Sequence, residues 1–546
     1  MSKPNLPLTL VVAVILAAFA ACCGKQKSPS TAPQGVAKKA GQAKTLLARP
    51  HVTIVALSDW QAILKPCGCT EELQRGGIER NARFLADLRR ADNSVVLVHA
   101  GRLLVEDEKP RPQQVAQRRE RMRTFSAILD GLDVAAVALS SADLKDGGDV
   151  ATDLYAKARW PVLSAAAKPS VARAKKSRVV TTASGVQVGI IAVDEGDFAD
   201  TKARNASLKA IALKLKSDGA SIVVALSNLG MRHTRRLSRA IPELDVVVVG
   251  SVPARSEPVE ELDPDDDAFI LRAPRHGAYM AMLTLVPGHR GRWHDVSPFL
   301  PGAATRINAR LVSVDKDIKR FAAGARKTVA MERALPFFKK QRRELEKRLK
   351  AARESADKQL PDGRLAAYAS IGLPWSAAAD ESVEAVVKKY DKRVAAINAE
   401  AAKDPVPAGK DDTPYVGSEV CLACHIKAAA FVAKDLHSHA WKTLEKDGKT
   451  RDLDCVSCHS TAFGKPGGSA FGNIDKFSSV QCEACHGPGG KHVAAPAGGT
   501  KSMMVNKPGE SVCLGCHTPE HAPRFAFEAY RRRLIVPGHG LPAPKP

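Results

Sequence analysis

Four segments of this chain read Cys-x-x-Cys-His: Cys421, Cys424 and His425; Cys455, Cys458 and His459; Cys482, Cys485 and His486; Cys513, Cys516 and His517. Two thiols three positions apart reach two fixed points on one porphyrin edge, and the adjacent imidazole meets the iron. This is the attachment signature of c-type haem. A zinc ribbon also uses paired Cys-x-x-Cys, but a His after every pair selects haem, and four copies imply four haems. They consume eight of the 12 cysteines in the chain. So short a stretch of polypeptide, residues 421–517, cannot build an ordinary aliphatic core around four porphyrins. The haems must serve as the core, and folding should depend on their attachment. An aromatic content of only 5% fits, because the porphyrins supply the large apolar plates.

Each iron has one further axial position. The histidines outside the motifs here are His437, His439, His492, His521 and His539, a dense supply when the first 403 residues hold only six of the chain's 15. Ligation by two imidazoles gives low-spin, low-potential haem suited to electron transfer, whereas an iron with one imidazole is open to a small ligand. His521, four residues after His517, is the least suited to reach an opposite face. His437 and His439 flank Ser438, one as a ligand and the other as a neighbour or propionate partner. The alternative for each is a surface histidine among Gly and Pro.

The order of features resembles a known family: Tyr415-Val416-Gly417-Ser418-Glu419-Val420-Cys421, then His437-Ser438-His439-Ala440-Trp441, Asp454-Cys455, Phe463-Gly464, Gln481-Cys482-Glu483-Ala484-Cys485-His486-Gly487-Pro488-Gly489, His492 and finally His539-Gly540. From Tyr415 to Gly540 it is similar to the tetrahaem cytochrome c-554 family, and residues 404–546 are expected to form that domain. Members carry three six-coordinate haems and often one five-coordinate haem. The resemblance implies electron relay between redox partner proteins, with the four motif histidines as proximal ligands and His437, His492 and His539 as the better distal candidates.

The N-terminus predicts export. Residues 1–21 have a basic start and an apolar run too short to span a membrane, as in a secretory signal. The end, Phe19-Ala20-Ala21-Cys22, resembles a bacterial lipobox, which makes Cys22 the lipid-bearing residue; plain secretory cleavage is the alternative. Residues 22–48, rich in Lys, Ser, Pro and Gly, are expected to be a flexible tether. The protein is thus expected on the periplasmic side of the bacterial envelope, anchored to the membrane by its lipid. A formal charge of +24 invites a nucleic-acid reading, but export and the scatter of Lys and Arg without interleaved aromatics exclude it.

Residues 49–304 alternate short β-branched apolar runs with helical stretches, predicting an α/β layered domain with strands buried on both faces. Leu57-Ser58-Asp59, Gly76-Gly77-Ile78, His99-Ala100-Gly101-Arg102, Leu139-Ser140-Ser141-Ala142-Asp143 and Ala225-Leu226-Ser227-Asn228 resemble the metallophosphoesterase domain of periplasmic 5′-nucleotidases. Such enzymes hold two divalent metals that activate water. Here Asp59 matches the first ligand, but the later ligand positions fall on Gln61, Arg102, Ser141-Ala142, Asn228 and Ser251-Val252-Pro253. The resemblance therefore implies a scaffold that has lost its metals, and with them the means of hydrolysis. Cys67 and Cys69, in the loop after the first strand, are a separate signal. Two thiols around one Gly form a disulfide, bind a soft metal or act on a sulfur compound. His99, Arg102, Arg75 and Arg80 offer an anion-friendly surround.

Residues 305–403 are dense in Lys, Arg, Glu and Ala and predict a charged helical connector, broken at Pro336 and at Leu360-Pro361-Asp362-Gly363. The whole reads as an envelope-located multihaem cytochrome with a docking or sensing domain in front. The alternative is a redox enzyme acting on a small nitrogen or sulfur compound at an open haem or at the Cys67/Cys69 pair.

Overall fold

The computed structural model describes residues 34–65, 74–166, 170–198, 200–251, 268–288, 291–322, 329–355, 358–495, 504–518, 521–522, 525–537 and 539–541. Cys22, Cys67 and Cys69 lie outside them. The chain forms two compact units. One holds the residues up to Glu106 together with Phe125–Glu384, and the other holds Asp107–Thr124 with the chain from Ala385 onward.

The first unit is the predicted α/β layered fold. A seven-stranded sheet has the order β11-β12-β10-β1-β2-β3-β4, and a five-stranded sheet the order β5-β6-β7-β8-β9. The strands are β1 (Val52–Ser58), β2 (Val95–Ala100), β3 (Ala136–Ala138), β4 (Val162–Leu163), β5 (Ser177–Thr181), β6 (Gln187–Val193), β7 (Ile222–Ser227), β8 (Val246–Val249), β9 (Phe269–Leu271), β10 (Met280–Val286), β11 (Trp293–Asp295) and β12 (Arg364–Ile371). β1 runs parallel to β2 and antiparallel to β10. Successive side chains point to opposite faces, so Val52, Ile54 and Ala56 of β1 join Val188, Ile190 and Ala192 of β6 and Val224 and Leu226 of β7 in one core between the sheets. On the other face of the five-stranded sheet, Ile191, Val223, Ala225 and Val247 meet Leu208, Ala212 and Leu215 of helix Thr201–Ser217 and Leu237 of helix Gly230–Ala240. This double burial explains the unbroken apolar runs.

Three expectations change. Part of the stretch expected to be a flexible tether, Gln34–Leu47, is a helix. Ala40, Ala43 and Leu46 recur every three residues along it and are buried, and the Lys39 ammonium donates to the carbonyls of Pro298 and Ala352. Small and basic residues hide that stripe in the sequence. Second, the stretch expected to be an all-helical connector contributes β12, which pairs with β10 and β11 inside the seven-stranded sheet. Its Ala366, Ala367 and Ala369 are poor strand formers, but close neighbours on both sides favour small side chains. The remainder is helical: Ala303–Ala322 packs Ile307, Leu311 and Val314 against Leu345, Leu349 and Ala352 of Val329–Glu354. Third, Pro336 does not break that second helix but lies within it. Among the described residues no helix is long and apolar enough to cross a membrane.

The second unit is built of short helices. Its apolar cluster is small: Ala402, Leu444, Leu453, Val456, Phe463, Phe471 and Ile474, with Trp441 and Cys455 at the edge. That is the thin core expected of polypeptide wrapped around porphyrins.

Candidate haem-binding site

Each Cys-x-x-Cys-His segment starts in a helix: Ser418–Cys424, Leu453–His459, Cys482–His486 and Glu510–Leu514. On a helix, residues three and four apart share a face, so in the second and third motifs, whose helices contain all three residues, the two thiols and the imidazole project together. The motifs are then drawn into pairs. The Cys421 side chain lies beside that of Cys482, and the Cys458 side chain beside that of Cys516. Attachment points of the first and third motifs therefore adjoin, and so do those of the second and fourth.

Glu483, between the cysteines of the third motif, locks the first of these pairs. It is 2% exposed. Its carboxylate accepts from the Val416 amide at 3.0 Å, the Gly417 amide at 2.8 Å and the Gly489 amide at 2.7 Å. Three backbone donors satisfy a buried anion. Ser418 adds a hydroxyl donated to the Cys482 sulfur at 3.3 Å.

The histidines pair across these motifs. Ring centroids are 6.3 Å apart for His425 and His492, 6.1 Å for His517 and His437, and 6.1 Å for His486 and His539. A metal bound by two imidazole nitrogens at about 2 Å each sets the ring centroids roughly 6 Å apart. Each pair thus joins one motif histidine to one of the three better distal candidates at the spacing an axially ligated iron requires. The outer nitrogens are anchored as ligating imidazoles usually are. His486 Nδ1 meets the Val505 carbonyl at 2.6 Å, and His539 Nδ1 meets the Leu534 carbonyl at 2.6 Å. His437 Nδ1 lies 3.2 Å from Asp435 Oδ2. Burial would raise the Asp435 carboxyl, but the His437 contact outweighs it and holds the group below its ordinary range. Burial, aided by the His437 charge, lowers His517.

His459 differs. Its Nδ1 is held by the Ala440 carbonyl at 2.8 Å and by Thr443 Oγ1 at 3.1 Å. Among the described residues no imidazole stands opposite it at ligating distance. His439 is exposed and turns Nε2 to the Ala433 carbonyl at 3.2 Å, and His521 pairs with Thr518. Large side chains flank the motifs with open apolar surface, Ile426 at 72% and Leu436 at 83% exposure, as contacts for a porphyrin face would be. The donor set, its spacing and these surfaces fit haem.

The surviving metal-ligand position of the first unit does not fit a metal pair. Asp59, at the end of β1, accepts from the Arg102 amide at 2.9 Å and the Ser251 amide at 3.3 Å. Gln61 bonds His276 at 3.0 Å. Asn228 accepts from the Gly101 amide at 2.6 Å and donates to Asp194 at 3.0 Å, and Ser141 also bonds Asp194. Backbone fills the remaining space: a Cβ on Gly101 would lie 2.2 Å from Asp59 Oδ1. Among the described residues no three His, Cys, Asp or Glu side chains are placed to hold a metal ion. The expected anion surround is also dispersed. Arg102 pairs with Asp146 at 2.7 Å, Arg80 with Glu79 at 2.5 Å and with the Trp375 ring, and Arg75 Nη1 donates to the Gln74 carbonyl at 2.7 Å. His99 is buried, and desolvation drives it down to about 3, so it stays neutral.

Residues 420–487 match the family model of cytochrome c554 and c-prime. Cytochrome c-554 of Nitrosomonas europaea is 36% identical over 95 residues, covering 14% of this chain and 40% of that protein. The chain therefore spans well under two thirds of that cytochrome, and the match supports a c-type cytochrome segment with c-type haem. The α/β unit is similar to 5′-nucleotidase structures. The 5′-nucleotidase precursor of Thermus thermophilus is 16% identical, covering 73% of this chain and 68% of that one, with a TM-score of 0.41. The NAD nucleotidase of Haemophilus influenzae is 19% identical over 43% of this chain and 52% of that one, with a TM-score of 0.35.

Sequence patterns do not single out Glu483, nor the polar residues beneath the second motif. Glu483 is visible only as part of a family-like string. Gln117 and Arg121 are visible as polar residues four apart on a helix expected to belong to the α/β domain.

Proposed function

We propose that this chain is a tetrahaem c-type cytochrome that relays electrons in the bacterial envelope. The observation that carries the reading is the set of three histidine pairs spaced for axial ligation. Cys421 and Cys424, Cys455 and Cys458, Cys482 and Cys485, and Cys513 and Cys516 would form the thioethers, and His425, His459, His486 and His517 would hold the irons from the proximal side. His492, His539 and His437 would serve as second ligands at the first, third and fourth motifs. Bound haem supplies one-electron chemistry, at low potential where two imidazoles hold the iron. The chain fixes imidazole orientation through the Nδ1 contacts and gathers the attachment points of the first and third motifs through Glu483 and Ser418. Redox partner proteins exchange electrons with it, and lipidated Cys22 tethers it to the membrane on the periplasmic side.

A second reading has one specific support, the unopposed His459. That position suits a small nitrogen or sulfur compound at the second haem. Electron paramagnetic resonance and a redox titration of purified protein test both readings. The expected result is three low-spin haems and one high-spin haem that responds to nitric oxide. Exclusively low-spin spectra would remove the second reading, and a preparation without covalent haem would remove both.

The α/β unit acts as a metal-free docking or sensing scaffold, supported by the backbone amides that occupy the Asp59 carboxylate. With manganese added, the purified protein is expected to show no phosphodiesterase turnover above buffer. Turnover abolished by Asp59→Asn would refute the scaffold reading.

A further inference from the structure

The helix carrying Cys455, Cys458 and His459 is gripped by residues distant in sequence. Asp454, immediately before Cys455, has both carboxylate oxygens engaged: Arg121 Nη1 donates to Oδ2 at 2.6 Å, Gln117 Nε2 to Oδ2 at 2.9 Å and Gln114 Nε2 to Oδ1 at 3.0 Å. Asp452 caps the helix through the Asp454 amide at 3.1 Å and accepts from Gln117 Nε2 at 2.7 Å. Gln117 Oε1 in turn accepts from the Leu453 amide at 3.0 Å and from Asn398 Nδ2 at 2.6 Å. Lys449 Nζ lies 2.9 Å from Asp452 and 2.7 Å from Asp391. Arg111 donates to the Leu453 carbonyl at 3.1 Å. Gln117 and Asn398 are fully buried and Arg121 nearly so.

We infer that Arg121, Gln117 and Gln114 are positioning residues for the second haem, and that the Arg121–Asp454 pair sets its reduction potential relative to the other three. This rests on the tetrahaem reading. The physical argument is one of charge. Reducing a ferric iron adds one negative charge to the site. A carboxylate beside the thioether opposes that step, and a guanidinium bonded to the carboxylate cancels the opposition. The Arg121 side chain is buried and that of Asp454 half-buried, so solvent screens the pair only in part, and partner removal leaves the other charge uncompensated. Haem potentials respond to surrounding charge and hydrogen bonds as well as to axial ligands. The grip is specific to one motif: its donors come from 107–124, and the helix they hold is the one whose histidine stands unopposed.

The test uses full-length holoprotein and spectroelectrochemical titration. The second haem is identified as the component lost from the titration in Cys455→Ala/Cys458→Ala. Arg121→Gln should shift that midpoint negative, and Asp454→Asn should shift it positive. The double variant should return close to the starting value, and Arg121→Lys should retain most of it. The other three midpoints should hold still. Unchanged midpoints in both single variants, or four midpoints moving together, would overturn the inference. Should Arg121→Gln yield no holoprotein, Asp454→Asn decides alone, because only a charge effect moves its midpoint upward. A wild-type protein with fewer than four haems would count against the tetrahaem reading. The opposite shifts at the Cys455/Cys458 haem would still stand or fall by themselves.

Discussion

His437→Ala, His492→Ala and His539→Ala should each convert one low-spin haem into a high-spin one, so that two high-spin components replace the single one expected of the parent. Each of these side chains stands 6.1–6.3 Å, ring centre to ring centre, from a different motif histidine. Removing one imidazole leaves an iron with a single strong ligand, which changes spin state and raises the midpoint potential of that haem. His439→Ala, by contrast, should leave the spectrum intact, since His439 faces the Ala433 carbonyl. Covalent haem content should be the same in all four variants, because attachment uses the thiols. Loss of low-spin signal in His439→Ala, or its retention in His437→Ala, would reassign the fourth haem.

Gly101→Ala should cost the α/β unit about 3 kcal/mol or more, on two counts. The φ of Gly101 is +85°, a conformation that penalises any Cβ by roughly 1–2 kcal/mol. The Cβ would also meet Asp59 Oδ1 at 2.2 Å and the Gly250 Cα at 3.0 Å, and overpacking of a tight site typically costs about 1–3 kcal/mol. Four of the five tryptophans, Trp60, Trp160, Trp293 and Trp375, lie in this unit, so urea unfolding followed by indole fluorescence reports on it. An unchanged midpoint would show that the Asp59 carboxylate yields easily and that the site keeps room for an ion, weakening the scaffold reading.

The four motifs and the β-branched runs are legible in the sequence because each rests on a short-range rule: fixed thiol spacing, and strands sealed on both faces. The preference for His437 over His439 comes only from a family likeness; in the structure it is the His437 ring that lies 6.1 Å from that of His517. Local pattern fails where distant chain decides the outcome. β12 is alanine-rich and takes its conformation from β10 and β11. Helix Gln34–Leu47 looks like linker until Lys39 is seen bonded to Pro298. The helix beginning at Gln114 carries polar side chains on a buried surface, a pattern that makes sense only once Asp452 and Asp454 are known to lie beside it. Nothing local announces a partner more than three hundred residues away.

That separation governs the order in which the protein can be assembled. Gln117 bonds Asn398 across 281 positions and Leu453 across 336. A chain made N-terminus first presents Gln117 early, and its amide stays hydrated rather than paired until nearly the whole polypeptide is available. Long-range closure of this kind is slow to nucleate. On the tetrahaem reading, the thiols at 455 and 458 would have time to be loaded while their helix is still unclamped, and completion of the clamp afterwards would act as a latch on the finished haem.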